Sequence, residues 1–255
     1  MVSDGTMNLA TGTWGDIEEM IKKIDKFIYP GTNRETIEGK RHYVIGEEKL
    51  PSVTTILSQT QSEEKKKSLA AWAAREGKER ANQIKQRAAN RGSSMHKILE
   101  HKILGEGYAD MTELGQQATK MAEQIAERGL CNVSEYYGTE VNVYYPGLYA
   151  GQTDLMCVHN GSDTIVDFKQ TNKPKQREWI TDYFTQGAAY CMAHDTIYGT
   201  QIDKFVVMMC SADLYYQEFI LQGKELKEYK YKWLERLDNY HINSCLLYTS
   251  DAADE

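Results

Sequence analysis

The tightest constraint on the fold is the segment His159-Asn160-Gly161-Ser162, which separates two apolar-rich runs. Asn-Gly between such runs is the strongest short-range signal for a β-hairpin, because both central residues of a type I′ turn need a positive φ. With Asn-Gly as the turn, counting outward along the two strands pairs Asp154 with Asp167. The sequence therefore predicts a hairpin over 151–169 that brings two carboxylates together.

The pleat of the two strands places Asp154, Asp167 and Lys169 on one face. Directly opposed like charges destabilise a sheet, with Cβ atoms about 4.5–5.5 Å apart, so these acids need a cation between them or a solvated face around them. Mg²⁺, which takes oxygen ligands from one or two carboxylates, meets the first need. Lys169 would then orient or deprotonate an attacking water. A surface hairpin whose acids pair with nearby lysines fits the same spacing, and the spacing alone leaves both interpretations open.

Composition narrows the class of protein. A chain of 255 residues with 41% apolar residues can bury a real core, and we expect one domain. It contains no apolar run of 18 residues and no basic-then-apolar leader, so we expect a cytoplasmic protein with no membrane partner. The five cysteines show no CxxC and no zinc-like spacing. This pattern is typical of reduced thiols and predicts no iron–sulfur cluster.

The last eleven residues, CLLYTSDAADE, resemble the translation of a sequencing-library adapter. We therefore expect the natural chain to continue differently after about Ser244. Leaving out Asp251, Asp254 and Glu255 changes the formal net charge from −7 to −4. A mildly acidic total does not exclude a nucleic-acid partner, because the local distribution of charge decides that.

A basic segment stands out against this acidic total. Nine basic residues lie within 65–91, against Glu76 and Glu79, which gives a local net charge of +7. Residues 62–90 are expected to form one long helix or two. Such a segment is a candidate phosphate-contacting helix or simply a solvated helix face. The residues chosen to test the first interpretation are Lys78, Arg80 and Lys85.

A helix break is expected at 91–94 (RGSS), where a serine can cap the next helix, over 92–104. His96 lies at the edge of the apolar arc of that helix, and Glu100 follows one turn later. From a helix that packs on a sheet, such a pair can reach into a site. A histidine here also serves as a satisfied residue at the edge of a core, and Glu100 as its ion-pair partner or as a metal-site carboxylate.

Hydrophobic periodicity assigns most of the remaining chain. Glu140 falls within a predicted strand, where it is either a third acid of the site or a charge on an edge strand. Residues 35–46 are predicted to form a hairpin that turns at Gly39-Lys40. The other predicted strands are 134–145, 151–158, 164–169, 202–210 and 214–221, and the predicted helices are 112–130, 177–193 and 224–241.

Within 177–193, Trp179, Tyr183, Gln186 and Tyr190 form one helical stripe. Gln186 is the polar member, and a polar side chain in an aromatic stripe needs a hydrogen-bond partner. That partner is expected to be backbone near the site or a nucleic-acid phosphate. The alternative is a glutamine at the edge of the stripe.

Several separate motifs occur in one order: RGSSMHKILE, a strand glutamate, GQTDLM, VDFKQTNKPK and QGAAY. This order resembles the PD-(D/E)XK nuclease superfamily in its RecB-type exonuclease branch. The segments PSVTTIL, AHD and WLERLDNY are further similar to the family of the mitochondrial genome maintenance exonuclease and its bacteriophage relatives. The resemblance covers about Pro51 to Tyr240.

The resemblance implies a role for each matching residue. Asp154, Asp167, the carbonyl of Phe168 and His96 would hold Mg²⁺ or Mn²⁺, and Lys169 would be the catalytic lysine. The Gln186–Tyr190 pair would order the site and meet DNA. Further residues along the DNA path would be Gln170, Lys173 and Lys175.

The expected fold is α/β, a restriction-endonuclease-like core whose mixed central sheet is flanked by helices 92–104 and 177–193, with a helical N-terminal part. The expected organisation is an N-terminal extension over 1–50, a nuclease domain over 51–244 and a non-native tail over 245–255.

The expected function is that of a Mg²⁺- or Mn²⁺-dependent deoxyribonuclease, an exonuclease on single-stranded ends, in phage or bacterial replication, recombination or DNA degradation. A structure-specific endonuclease and a non-catalytic DNA-end-binding module are the alternatives.

Overall fold

A computed structural model describes residues 21–251, with side chains as far as Ser244. The strands of this range form a six-stranded sheet and a separate three-stranded sheet. The strands are β1 (Lys22–Lys23), β2 (Asn33–Ile37), β3 (Lys40–Ile45), β4 (Glu48–Pro51), β5 (Val133–Tyr145), β6 (Tyr149–His159), β7 (Ser162–Thr171), β8 (Lys204–Ser211) and β9 (Tyr216–Gln222).

The helices pack against these sheets. They are α1 (Val53–Gln59), α2 (Glu63–Glu76), α3 (Lys78–Ile103), α4 (Glu113–Arg128), α5 (Thr181–Tyr198) and α6 (Gly223–Asp251), with short 3₁₀ turns at Leu130–Asn132 and Arg177–Trp179. None of the described helices is long and apolar enough to cross a membrane.

The larger sheet has the strand order β1-β5-β6-β7-β8-β9. Its β1–β5 and β7–β8 pairs are parallel and the other neighbours are antiparallel. The expected mixed sheet flanked by helices is confirmed. The smaller sheet, β2-β3-β4, is an antiparallel meander.

Both faces of the central hairpin are apolar, because helices cover each face. Met156 and Ile165 belong to the core that α5 and α6 complete with Phe184 and Trp233. Leu155 and Val166 point the other way, into the core shared with α3 and α4. Alternation along the strands therefore fills two cores, and charged side chains buried within these strands need polar or charged partners.

The predicted hairpin is present. Asn160 and Gly161 both have positive φ, 48° and 78°, and His159 pairs with Ser162. The regular pairing ends at Leu155 with Val166, one step before the two aspartates. The Asp154 carboxylate instead accepts a hydrogen bond from the Phe168 N–H at 2.6 Å. An acidic side chain thus takes over backbone hydrogen bonding where the regular pairing stops.

The predicted helix break at 91–94 is wrong. α3 continues through these residues, and the break lies at Gly77, whose φ of 83° ends α2. Arg91 holds the helix in place, because its guanidinium donates to the side chains of Gln170 and Asn172 on the neighbouring strand and loop. Tertiary hydrogen bonds outweigh the weak local preference of Gly and Ser for helix.

Three helices, α1 to α3, follow one another before β5, and α1 is capped by Ser52, whose Oγ accepts from the Thr55 N–H. The three-stranded sheet precedes them in sequence. Tyr43 and Leu50 of that sheet pack on Ala150 of β6, and Ser52 forms a bridge to the same residue. This contact fixes the small sheet against the strand that carries Asp154.

A buried histidine predicts how stability depends on pH. His194 is fully buried, its Nδ1 lies 2.8 Å from the Thr200 hydroxyl and its Nε2 3.2 Å from the Tyr29 hydroxyl. Burial lowers its pKa to about 4, although the Asp163 carboxylate opposes the shift and Lys26 favours it. The unfolded chain therefore binds a proton near pH 6.5 that the folded chain binds only near pH 4.

We expect this single group to remove about 3 kcal/mol of folding free energy as the pH falls from 7 to 4. The stabilisation is complete above pH 6.5 and is lost below it. Urea unfolding across this range should show a shallower pH dependence in His194→Gln than in the native chain. Equal slopes for the two proteins would contradict the assignment.

Candidate active site

A cleft of about 620 Å³ opens where β5, β6 and β7 meet α3, α5 and the small sheet. Three carboxylates and three cationic side chains line it together with His96. The carboxylates are Glu140, Asp154 and Asp167, and the cations are Arg34, Arg41 and Lys169.

Asp154 lines this cleft and contacts both His96 and the Phe168 N–H. Its side chain is 10% exposed, and one carboxylate oxygen lies 3.2 Å from His96 Nδ1. Burial alone would raise its pKa, but the His96 imidazole, Lys169 and the Phe168 N–H together hold the pKa below its ordinary value. Burial alone would lower the pKa of His96, but the Asp154 carboxylate raises it to about 9. Asp154 is therefore an anion at neutral pH.

Glu140 reaches the same point from β5. The pairs on either side of it, Thr139 with Leu155 and Val141 with Thr153, place it across from Asp154. Its φ of 49° is left-handed, which is unfavourable for a residue with a Cβ and is typical of strained functional positions. Burial, and then repulsion by Asp154, raise the pKa of Glu140 to about 7.

His96, Glu140 and Asp154 each offer a ligand atom, and these atoms lie within 4.8 Å of one another. After His96 loses its proton, which a bound cation would favour, one imidazole nitrogen and two carboxylate oxygens are a donor set that Mn²⁺ and Mg²⁺ accept. Burial raises the pKa of Glu140 most, and a divalent cation would offset the further repulsion by Asp154. His96, Glu140 and Asp154 therefore fit a divalent metal ion and form a metal-capable group.

Lys169 and Asp167 form an ion pair beside this group. The Lys169 ammonium also lies 5.0 Å from the centre of the Tyr183 ring. Burial raises the pKa of Asp167 to about 6 in spite of Lys169, and the charge on Asp154 adds to the shift. For Lys169, the charges of Asp167 and Asp154 outweigh burial and raise the pKa. Lys169 is therefore protonated at neutral pH.

The other metal ligands expected from sequence have different contacts. Asp167 lines the cleft, but its carboxylate pairs with Lys169. It is not one of the three residues whose ligand atoms lie within 4.8 Å of one another. The Phe168 ring is buried in the core while its N–H contacts Asp154, so a ligand role for its carbonyl stays a prediction. Glu100 of α3 does not line the cleft. Its charge still adds a smaller contribution to the raised pKa of Glu140.

The polar member of the aromatic stripe has a defined partner. Gln186 Nε2 donates to the Tyr190 hydroxyl at 2.7 Å, and both side chains are buried and line the cleft. Tyr190 lies directly over Gly151, where an added Cβ would come within 2.4 Å of the ring. Gly151 is required for this close approach, which brings α5 onto β6 beside the metal-capable group.

The remaining predicted DNA contacts lie at different depths. Gln170 lines the cleft and donates to the Ala88 carbonyl at 2.9 Å. Lys173 is exposed, and the Lys175 N–H donates to the Gln217 side chain at 2.7 Å. None of the exposed residues Lys78, Arg80 and Lys85 lines the cleft, although all three belong to α3.

Sequence reasoning missed the wall that the small sheet contributes. Arg34, Arg41 and Tyr43 come from β2 and β3, and Gln152 faces them from β6. Sequence predicts a hairpin over 35–46, but no local pattern places its residues in the cleft, which they reach only through the packing of the small sheet on Ala150.

The fold and the cleft define this chain as an α/β protein with a candidate site for a divalent metal. No protein-family model matches the chain, and no curated protein matches it. Among solved structures it is similar to a candidate exonuclease from Eubacterium rectale (TM-score 0.43, 15% identity, 59% of this chain and 63% of that chain). It is also similar to an alkaline exonuclease from Laribacter hongkongensis (TM-score 0.32, 10% identity, 64% of this chain and 86% of that chain). The chain spans less than two-thirds of the Eubacterium protein, and neither likeness identifies its family or activity.

Proposed function

We propose that this chain is a Mg²⁺- or Mn²⁺-dependent DNA exonuclease that hydrolyses phosphodiester bonds at single-stranded ends. One observation carries the proposal: the group formed by His96, Glu140 and Asp154 opens into the same cleft as the Asp167–Lys169 pair. Phosphodiester hydrolysis needs neutralisation of phosphate charge and an activated water, and this combination can supply both. The choice of DNA and of a single-stranded end rests on the sequence resemblance.

Each residue has a role that follows from its surroundings. His96, Glu140 and Asp154 would hold the ion, which supplies Lewis acidity toward a phosphate oxygen when bound. Lys169 is protonated, so it serves as a hydrogen-bond donor that positions the attacking water and opposes the charge developing on phosphate. Its Tyr183 contact keeps the ammonium in place.

The test measures release of nucleotides from end-labelled linear single-stranded DNA in Mg²⁺, Mn²⁺, Ca²⁺ and EDTA, with a closed circular strand in parallel. We expect cleavage of the linear strand in Mg²⁺ or Mn²⁺ and none in EDTA, with the circle intact. Cleavage of the circle would replace the exonuclease with an endonuclease. Retention of DNA without cleavage in any of these metals would support the binding module instead.

The basic part of α3 gives a separate prediction. Reversing the charge of Lys78, Arg80 and Lys85 should weaken binding of single-stranded DNA and flatten its salt dependence. Each lost phosphate contact reduces the slope of log affinity against log salt by about 0.7. Three lysines of α6 provide a control with a similar change in charge: Lys224, Lys227 and Lys232. An unchanged slope in the α3 variant would identify this segment as a solvated helix face.

A further inference from the structure

We propose that Arg34 and Arg41 form a second phosphate-binding site in the cleft, which holds the DNA backbone next to the scissile phosphate. This inference rests on the proposed function and extends it, because it makes the small sheet part of the substrate site. The ligand is a chain of several phosphodiesters: one would lie at the metal-capable group and a neighbouring one at the arginines.

The register of the small sheet places the two arginines on one face. Arg34 pairs directly with Tyr43, and Arg41 precedes Tyr43 by two residues on the same strand. Side chains at these positions point to the same side of a sheet, and all three line the cleft. Tyr43 is buried against Leu50 and Ala150, so the face is anchored to β6.

Neither guanidinium is neutralised by a carboxylate in an ion pair within residues 21–244. Arg34 donates to the Gln152 side chain, whose Nε2 in turn donates to the Glu140 carbonyl at 2.8 Å. The Arg34 guanidinium also lies 5.5 Å from the Tyr43 ring centre. The Arg41 side chain is exposed and has no hydrogen-bond or ion-pair partner among the described residues. Arg41 is therefore a cation free to bind a ligand.

The charges of the cleft indicate which ligand this is. When His96 has lost its proton to bind a metal, the three carboxylates of the cleft are matched by three cations, Lys169, Arg34 and Arg41. A divalent ion on His96, Glu140 and Asp154 leaves an excess of positive charge. A polyanion neutralises that excess, and guanidinium binds phosphate oxygens through two parallel hydrogen bonds. We expect a single small diester to bind at the metal-capable group without needing Arg41.

Arg41→Gln is the primary variant, because Arg34 also supports Glu140 through Gln152. Lys40→Gln is the matched control: it removes the same charge from the adjacent position of β3, which points away from the cleft. The probe is a short fluorescent single-stranded oligonucleotide in Ca²⁺, titrated at several salt concentrations. Hydrolysis of bis(p-nitrophenyl) phosphate in Mn²⁺ reports on the metal site alone.

We expect Arg41→Gln to bind the oligonucleotide about tenfold more weakly, with a salt slope reduced by about 0.7. Lys40→Gln should bind like the native chain, and Arg41→Lys should recover part of the affinity. Arg41→Gln should raise the KM for oligonucleotide cleavage and leave hydrolysis of the small diester unchanged.

The outcomes separate the two proposals. Equal binding by Arg41→Gln and the native chain, or no binding by the native chain, overturns the phosphate site whatever the nuclease assay shows. Binding that depends on Arg41, together with no hydrolysis in any metal, retains the phosphate site and overturns the nuclease. A loss of small-diester hydrolysis in Arg41→Gln would show that the arginine acts on the metal site and would overturn the phosphate assignment.

Discussion

Lys169→Ala will lower the rate of DNA hydrolysis by about two to three orders of magnitude, the usual cost of removing one preorganised donor from a reacting centre. The ammonium is partly buried, paired with Asp167 and held over Tyr183, so no other cation of the described chain can take its place without rearrangement. Single-turnover cleavage of end-labelled DNA in Mn²⁺ measures the effect. Binding of the same DNA in Ca²⁺ should change much less than the rate.

The control for this variant is Lys204→Met. Lys204 is also buried, but it lies at the start of β8 outside the cleft and donates to the His159 carbonyl at 3.0 Å. Its loss should lower the free energy of unfolding and leave the rate of the folded fraction unchanged. A Lys169→Ala protein that cleaves within a few-fold of the native rate would contradict the role of Lys169.

Asp154→Asn will weaken Mn²⁺ binding by about a hundredfold or more, since even residues that merely orient a metal ligand are worth 10–100-fold. Asparagine keeps the shape and can still accept the Phe168 N–H, so the change removes the anionic ligand with little disturbance of the strand. Calorimetric titration with Mn²⁺ measures the affinity. The rise in melting temperature that Mn²⁺ gives the native chain should disappear as well.

Asp163→Asn is the matched control for Asp154→Asn. Asp163 lies on β7 outside the cleft, where it pairs with Lys26 at 2.8 Å and accepts from the Tyr137 hydroxyl at 2.7 Å. Its replacement should lower stability and leave Mn²⁺ affinity unchanged. Native-like Mn²⁺ binding by Asp154→Asn would remove this residue from the metal site.

The parts of the site that sequence predicted are those fixed by local rules. The Asn-Gly turn sets the register of the hairpin, and with it the positions of Asp154 and Asp167 near one another. The end of regular pairing before these residues was not predictable, because it depends on the hydrogen bond between Asp154 and the Phe168 N–H.

Other parts depend on contacts between distant segments. Sequence left Glu140 between two interpretations, and its left-handed backbone and its place across from Asp154 now bring it to the metal-capable group. The continuity of α3 through Gly92 depends on Arg91 and its partners on and after β7. Arg34 and Arg41 reach the cleft through a sheet that no local pattern connects with the hairpin.

The hydrogen bond from the Phe168 N–H to Asp154 couples the candidate chemistry to the architecture of the sheet. The carboxylate that would hold the ion also satisfies a backbone donor at the point where β6 and β7 separate. A lineage that abandoned the chemistry could not replace Asp154 by an apolar residue without finding that donor a new acceptor. Loss of activity through an apolar replacement of Asp154 would therefore be accompanied by a change in strand pairing, whereas loss through Lys169 would leave the pairing intact.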